Sequence, residues 1–542
     1  MCHPKSLPKR SPILRGVTWL LLLAMVTPLG PIQANAQTST QPQLQTGRLP
    51  NLGEEAEMSP AAERRLGDRI ARELYRDPDY IDDPVLLEYV QNIWQALLAA
   101  ARQRGELTPE LEERFAFELL LGKDRTVNAF ALPGGYMGLH LGLVAVVSSR
   151  DELAAVLGHE MSHITQRHIA RSTAKQSAQT PLLIAAMILG SLAASKNANA
   201  AGALISGGQA VAAQSQLNFS RDMEREADRV GFAVMTQAGF EGRGAVAMFE
   251  KLQQANRLSD RGNYPYLRSH PLTTERIADM QSRVGLGGTD KSFTPANPTL
   301  EHTMVAARAR LISNQTQDAL RAWVQLNSDP ALGTVLPFVQ AGNLYGAAMA
   351  AARQRDFALA QKIAVRLGPV VQDDAAALRL QRLLAAEIAL EAGQPAQVLA
   401  LLADSAKPAL GTERLRPEQM LLAQAQIRLG QAAQVAETLR LWVATHPRDA
   451  MAWQWLAASY TQLNQPLRAV RADAESRIAE QDYAGAQERF KAAQDLAKNA
   501  VGVAGTAGAA GGQGRADHIE ASIIDTRARA VALLLREQAL ER

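Results

Sequence analysis

The 542-residue chain predicts a mostly α fold in two parts, an α+β unit with a small sheet and then an all-α solenoid of tetratricopeptide-like (TPR) repeats. Three observations carry this expectation. Apolar residues recur at three- and four-residue spacing through most of the chain, while strand-like runs are confined to residues 115–140. From about residue 300, helices rich in Ala, Leu and Gln alternate with short turns. Within that stretch Trp453, Leu456, Ala457 and Tyr460, with Pro447 ahead and Ala469 behind, fit TPR spacing. A hydrophobic content of 47% is ample for packed cores, and the length exceeds what one core serves. The expected divisions are 1–36, 37–58, 59–295 and 300–542.

Residues 1–36 carry Lys5, Lys9, Arg10 and Arg15, no acid, an apolar run from Val17 to Val26, and Ala34-Asn35-Ala36. That is the pattern of a cleavable secretory signal. The apolar run is far shorter than the ~20 residues needed to span a bilayer. Cleavage after Ala36 would remove Cys2, the only cysteine, and so exclude disulfides, a Cys nucleophile and thiolate metal ligands. The chain's formal charge of +3 becomes −1 once those four cations are set aside. Nothing in the charge calls for nucleic acid as a partner. Residues 37–58, rich in Gln, Thr and Pro, read as a flexible leader.

Ala61–Leu74 and Pro84–Gln103 read as amphipathic helices. Phe115–Leu121 has strand character, and Asn128–His140 reads as strand, Pro-Gly-Gly turn and strand. Ser149-Arg150-Asp151-Glu152 is a capping box that starts the next helix. Pro181–Ala194 and Ala200–Ala213 are apolar but near 14 residues each, which predicts a buried or surface-seeking helical hairpin and no membrane span. Ser220–Met235 and Gly244–Arg257 are further helices. In the repeats, Ala486, Phe490 and Ala493 mark the second helix of another unit, for three or four units in all. Val501–Gly514 reads as a Gly/Ala-rich loop and Asp517–Gln538 as a closing helix.

The helix opened at Ser149 carries His159-Glu160-Met161-Ser162-His163. Histidines four apart share one helical face and can aim two imidazole nitrogens at one metal ion. Glu160 beside them is placed to take a proton from a metal-activated water. Two histidines leave such an ion short of a protein ligand. His168 lies about half a turn away from His159 on a continuous helix. Gln166 and Ile169 stand where a third-histidine site needs Gly and His, so His168 reads as structural or exposed. Glu224 and Asp228, four apart, are the better pair: one can bind the metal while the other accepts the N–H of a ligating imidazole. Glu226 points about 160° away from that face. His140 reads as a strand side chain.

His159-Glu160-x-x-His163, Glu224-x-x-Ala227-Asp228, and Ser269-His270-Pro271 followed by Glu275-Arg276-Ile277 resemble the zinc peptidase family that includes HtpX and the CAAX prenyl endopeptidases. The signal pattern, the leader motif Leu49-Pro50-x-Leu52-Gly53 and the TPR region resemble that family's periplasmic branch. The resemblance implies one zinc ion per chain held by His159, His163 and Glu224, with Glu160 as general base and acid and Asp228 fixing an imidazole. It implies that Gly134, Gly135, Tyr136, Met137 and Gly138 form the edge strand on which an extended substrate pairs. It also implies that His270 fills the open zinc position and must be displaced for activity. The expected protein is a periplasmic endopeptidase with chaperone activity, open to peripheral contact with the outer membrane. Its expected partners are unfolded or stalled outer-membrane β-barrel proteins and the barrel-assembly machinery. The alternative reading is a mainly non-enzymatic TPR chaperone or scaffold for barrel assembly with a latent metal site. A membrane-embedded prenyl-protein peptidase is disfavoured by the lack of apolar runs near ~20 residues.

Overall fold

A short polar residue followed by proline starts each of the first three helices. Ser59 accepts the Ala62 N–H ahead of α1 (Pro60–Tyr75), Asp83 that of Leu86 ahead of α2 (Pro84–Gln103), and Thr108 that of Leu111 ahead of α3 (Pro109–Arg114). Each cap satisfies a donor that a helix start leaves unpaired, and proline gives up none that was needed. The computed structural model describes residues 58–174, 220–257, 264–287, 298–403, 415–504 and 512–540. The secretory signal, the leader up to residue 57 and the apolar pair Pro181–Ala194 and Ala200–Ala213 lie outside the described residues. Among the described residues, no helix is long and apolar enough to cross a membrane.

Three strands follow: β1 (Glu118–Gly122), β2 (Ala129–Ala131) and β3 (Tyr136–His140). The first begins later than Phe115 because Phe117 sits at φ 46°, where a strand cannot run. The sheet order is β1-β3-β2, with β3 parallel to β1 and antiparallel to β2. This corrects the expected edge: Gly138 pairs with Leu120 on one side and Phe130 on the other, so the Gly134–Gly138 run has no free side for a substrate strand. Its glycines answer to packing. Gly134 and Gly135 turn the chain at φ 70° and 86°, and a Cβ on Gly138 would fall 2.1 Å from the Phe130 ring.

After β3 come α4 (Leu141–Val146), α5 (Arg150–Thr165), α6 (His168–Ala174), α7 (Arg221–Gln237), α8 (Arg243–Arg257), α9 (Tyr266–Ser269) and α10 (Thr274–Gly287). Ser149 caps α5 by accepting the Glu152 N–H at 3.2 Å. Glu152 turns back to the Ser148 N–H rather than to Ser149, and it pairs with Lys251 of α8 at 2.7 Å.

Beyond residue 298 the described residues form six successive helix pairs: Leu300–Ser313 with Gln317–Leu326, Pro337–Arg353 with Phe357–Val371, and Ala375–Glu391 with Pro395–Leu401, then Arg416–Arg428 with Ala432–Thr445, Ala450–Gln462 with Pro466–Ala479, and Tyr483–Ala504 with Gly512–Leu540. The sequence shows only three or four of these. The early pairs pack through alanines such as Ala347, Ala348, Ala350 and Ala351, which let helices close together without the aromatic signature. The last pair enters the stretch expected as a Gly/Ala loop from both sides, and residues 505–511 lie outside the described residues.

The described residues pack as one compact unit, and an apolar core runs from Val85 of α2 to Ala425 of the repeats. Arginines fasten the two parts. Arg308 reaches Asp83 and Glu387, both at 2.8 Å; Arg379 joins Glu88 to Glu418; and Arg416 joins Asp82 at 2.6 Å to Asp449 at 2.9 Å. Burial alone would raise the Asp449 carboxyl, but hydrogen bonds from Arg416, from the Trp442 indole and from the Ala452 N–H hold it below its ordinary 3.8. A depressed folded pKa means that stability is present above the unfolded value and is lost as pH falls through the folded one. The stability gap between the wild type and Asp449→Asn, measured by urea unfolding from pH 6 to pH 3, should therefore be constant above pH 3.8 and shrink below it.

Candidate metal centre

Helix α5 is buried on almost every side, so its polar residues face protein rather than water. Leu153, Leu157, Met161 and Ile164 join the core, while Gly158 lets α7 approach backbone to backbone at Gly231. A Cβ on Gly231 would lie 2.8 Å from the His159 amide nitrogen. That crossing carries Asp228 and Glu224, one and two turns earlier on α7, to the two histidines. His270, ending α9, closes the group from a third direction and stacks on Tyr266 at 4.5 Å.

His159, His163, Glu224 and His270, all buried, direct their ligating atoms at one point. His159 Nε2 lies 3.0 Å from His163 Nε2, 3.6 Å from Glu224 Oε2 and 3.3 Å from His270 Nδ1. Glu224 Oε1 lies 3.5 Å from His163 Nε2 and 3.0 Å from His270 Nδ1. Atoms about 2.0–2.1 Å from a tetrahedral ion stand roughly 3.3 Å apart, so these separations are of the size that ligands of one such ion require. Asp228 Oδ1 accepts from His159 Nδ1 at 3.0 Å and leaves Nε2 with its lone pair toward the centre.

The charge fits as well. Glu160, Glu224 and Asp228 are buried with one guanidinium, that of Arg276, which chelates Asp228 at 2.7 and 2.8 Å and meets Glu224 Oε2 at 2.8 Å. With neutral imidazoles the group carries two formal negative charges, the complement of one divalent cation. Without a metal, burial works against charge on His159, but Asp228 and Glu224 outweigh it and push that imidazole up to about 10. His163 is held well below the imidazole range by burial and by the His159 charge. Burial resists ionisation of Glu224 and Asp228, yet His270 and His159 hold the first well down, and Arg276 and His159 lower the second.

Glu160 lies against the cage. Its Oε2 accepts the Ala131 N–H of β2 at 2.8 Å, and its buried Oε1 receives no hydrogen bond among the described residues, with His270 Nε2 at 3.3 Å. An anchored carboxylate with one oxygen turned to a metal cage is suited to moving a proton there.

Residues 88–284 match the model of peptidase family M48. That stretch is similar to the M48 peptidases. Every residue of the cage falls inside the matched stretch. A putative beta-barrel assembly-enhancing protease of Vibrio cholerae is 35% identical over 302 residues, covering 54% of this chain and 58% of that one. The beta-barrel assembly-enhancing protease of Escherichia coli is 31% identical over 288 residues, 52% of this chain and 56% of that protein. The mitochondrial metalloendopeptidase OMA1 of Saccharomyces cerevisiae is 27% identical over 196 residues, 35% of this chain and 54% of the yeast protein. The chain thus spans little more than half the length of these relatives.

The structure gathers Glu160, His159, His163, Glu224, Asp228 and His270, while Tyr136 spends its hydroxyl on Asp68 and on Gln481 of the repeats. His140 bonds to Thr126, as a strand side chain does. Sequence reasoning gave no role to Arg276 or to the β2 amide of Ala131. Arg276 stands six residues after His270, and a cation so close to a carboxylate-rich site was the available signal. The Ala131 contact leaves none, because any residue but proline supplies an N–H. Arg276→Ala strands two buried carboxylates and should destabilise the metal-free chain by about 3–5 kcal/mol, read as a lower urea midpoint in chelator. Added divalent metal should restore part of the loss.

Proposed function

We propose that this chain is a zinc-dependent endopeptidase of the periplasm that acts in quality control and assembly of outer-membrane β-barrel proteins. The observation that carries the reading is the gathering of donor atoms of His159, His163, Glu224 and His270 within 4.8 Å of one another beside an anchored Glu160. In this reading His159, His163 and Glu224 hold zinc, and Asp228 fixes His159. Zinc held there supplies a Lewis acid that polarises a peptide carbonyl and acidifies a water. Glu160 takes the water's proton at Oε1, while the Ala131 N–H keeps Oε2 in place, and it returns that proton to the leaving nitrogen.

The strand that serves the substrate is β2. His140 donates to the Asn128 carbonyl and Leu132 to that of Tyr136, so the two-residue alternation turns Phe130 toward β3 and Ala129 and Ala131 outward. The outward side already reaches Glu160 through the Ala131 N–H. An extended chain pairing with Ala129 would run past the cage with main-chain affinity and little sequence choice. His270 takes the fourth corner, the place of the reacting water, so activity requires its displacement.

The printed names of the Vibrio and Escherichia relatives support the barrel-assembly substrates, and the signal pattern supports the compartment. The helical repeats are the part suited to hold an unfolded chain and to supply chaperone activity. Glu160→Gln should lower cleavage of an unfolded β-barrel precursor about 10²–10⁴-fold with bound zinc retained, and unchanged cleavage would remove the peptidase reading. His270→Ala should raise the same cleavage rate at equal zinc content; an equal or lower rate would sink the latency role.

A further inference from the structure

His168 belongs to none of the groups described so far. On a continuous helix it would stand away from the histidine pair, but the helix does not continue. α5 ends at Thr165, Arg167 adopts φ 53°, and α6 starts at His168. The break folds the fully buried His168 ring against His163, with centroids 4.9 Å apart and planes crossing at 73°. The two Nδ1 atoms lie 2.8 Å apart. On its far side His168 Nε2 meets Glu226 Oε2 at 3.0 Å, and Arg171 holds that same oxygen at 2.8 Å.

We infer that His168 and Glu226 are positioning residues that set the tautomer and ring orientation of His163, and so prepare its Nε2 to bind metal. The inference rests on the reading of His163 as a ligand. Donor bookkeeping leads to it. His163 can present a lone pair at Nε2 only if its proton sits on Nδ1. That N–H faces His168 Nδ1, which must then accept, so the His168 proton sits on Nε2. The second N–H meets the Glu226 carboxylate, an acceptor only, with Arg171 as counter-ion. Every atom in the line has one role, and reversing any of them puts the His163 proton on Nε2, 3.0 Å from His159 Nε2, where it would block a shared ion.

His159 receives the same preparation in one step from Asp228. Helix α7 therefore supplies a carboxylate to each histidine of the pair. Asp228 faces the cage, and Glu226, turned off that face, acts across the width of the His168 ring. A ligand histidine whose outer nitrogen lost its partner would be free to turn or change tautomer.

The test is zinc affinity of the full chain by competition with a chromophoric chelator, paired with the visible spectrum of the cobalt(II) form. His168→Leu removes the acceptor and should weaken zinc binding by about 10–100-fold and shift the cobalt bands. His168→Asn places a carbonyl where Nδ1 was and should recover most of that affinity, which a purely space-filling role would not allow. Glu226→Gln, at a partly exposed position that will fold, should weaken binding severalfold and stands as the deciding variant if His168→Leu does not fold. Equal affinity for wild type, His168→Leu and Glu226→Gln would overturn the inference and leave the metal reading intact. No zinc binding by the wild-type chain would overturn both.

Discussion

Two glycines decide where everything at the centre stands. At Gly158 and Gly231, helices α5 and α7 touch through their backbones, and a Cβ on either would come within 3.0 Å of the other helix. Since α7 advances one turn per 3.6 residues, the crossing at Gly231 fixes Asp228 one turn away and Glu224 two, both facing the histidines of α5. A side chain at the crossing would separate the helices by more than the roughly 0.5 Å that a ligand site tolerates. Packing into the core on the other sides of α5 makes that crossing rigid, and the distances within the cage follow from it.

The second constraint is charge. Burying carboxylates is costly unless each has a partner, and this chain meets the cost with arginine throughout. Arg276 forks onto Asp228 and touches Glu224, Arg308 bridges Asp83 and Glu387, and Arg416 bridges Asp82 and Asp449. The same device thus serves the centre and the junction with the repeats. The difference is one of balance. Each junction arginine sits between two acids and within a shared apolar core, whereas the centre keeps a surplus of negative charge that its own residues do not cancel.

Much of this was legible because it is local. The HExxH spacing, the serine and aspartate caps, the proline starts and the Glu224–Asp228 pair are all set within a turn or two of helix, so residue order alone carries them. What was not legible depends on contacts between distant residues. The strand run Gly134–Gly138 looks like an edge until Phe130 pairs across it, because no pattern within the run says which strands flank it. A helix continued through Arg167 would hold His168 half a turn from His159; the break there, a positive φ that no residue type announces, sets it beside His163 instead. The early repeats escape the spacing because alanine packing carries no signature of its own. The junction arginines span more than 30 residues at their shortest and more than 330 at their longest, beyond any periodicity.

His270 and Arg276 come from one stretch of chain, and this bears on how the centre could open. Arg276 is held at Asp228 and Glu224 and also donates to the Pro271 carbonyl at 2.9 Å, so it clamps the loop immediately after His270. If α10 left with His270, two buried carboxylates would lose their guanidinium, a change costing several kcal/mol for a buried pair. Movement confined to the His270 side chain, or to the single turn of α9, leaves Arg276 in place on Glu224 and Asp228 and gives up the His270 contact with Glu224 Oε1 at 3.0 Å. If the His270 side chain alone moves, it also loses the stacking on Tyr266, about 0.5–1.5 kcal/mol for aromatic pairs. The guanidinium that compensates the buried carboxylates thereby sits on a different element from His270, so in the proposed reading His270 can give way to water while Arg276 stays.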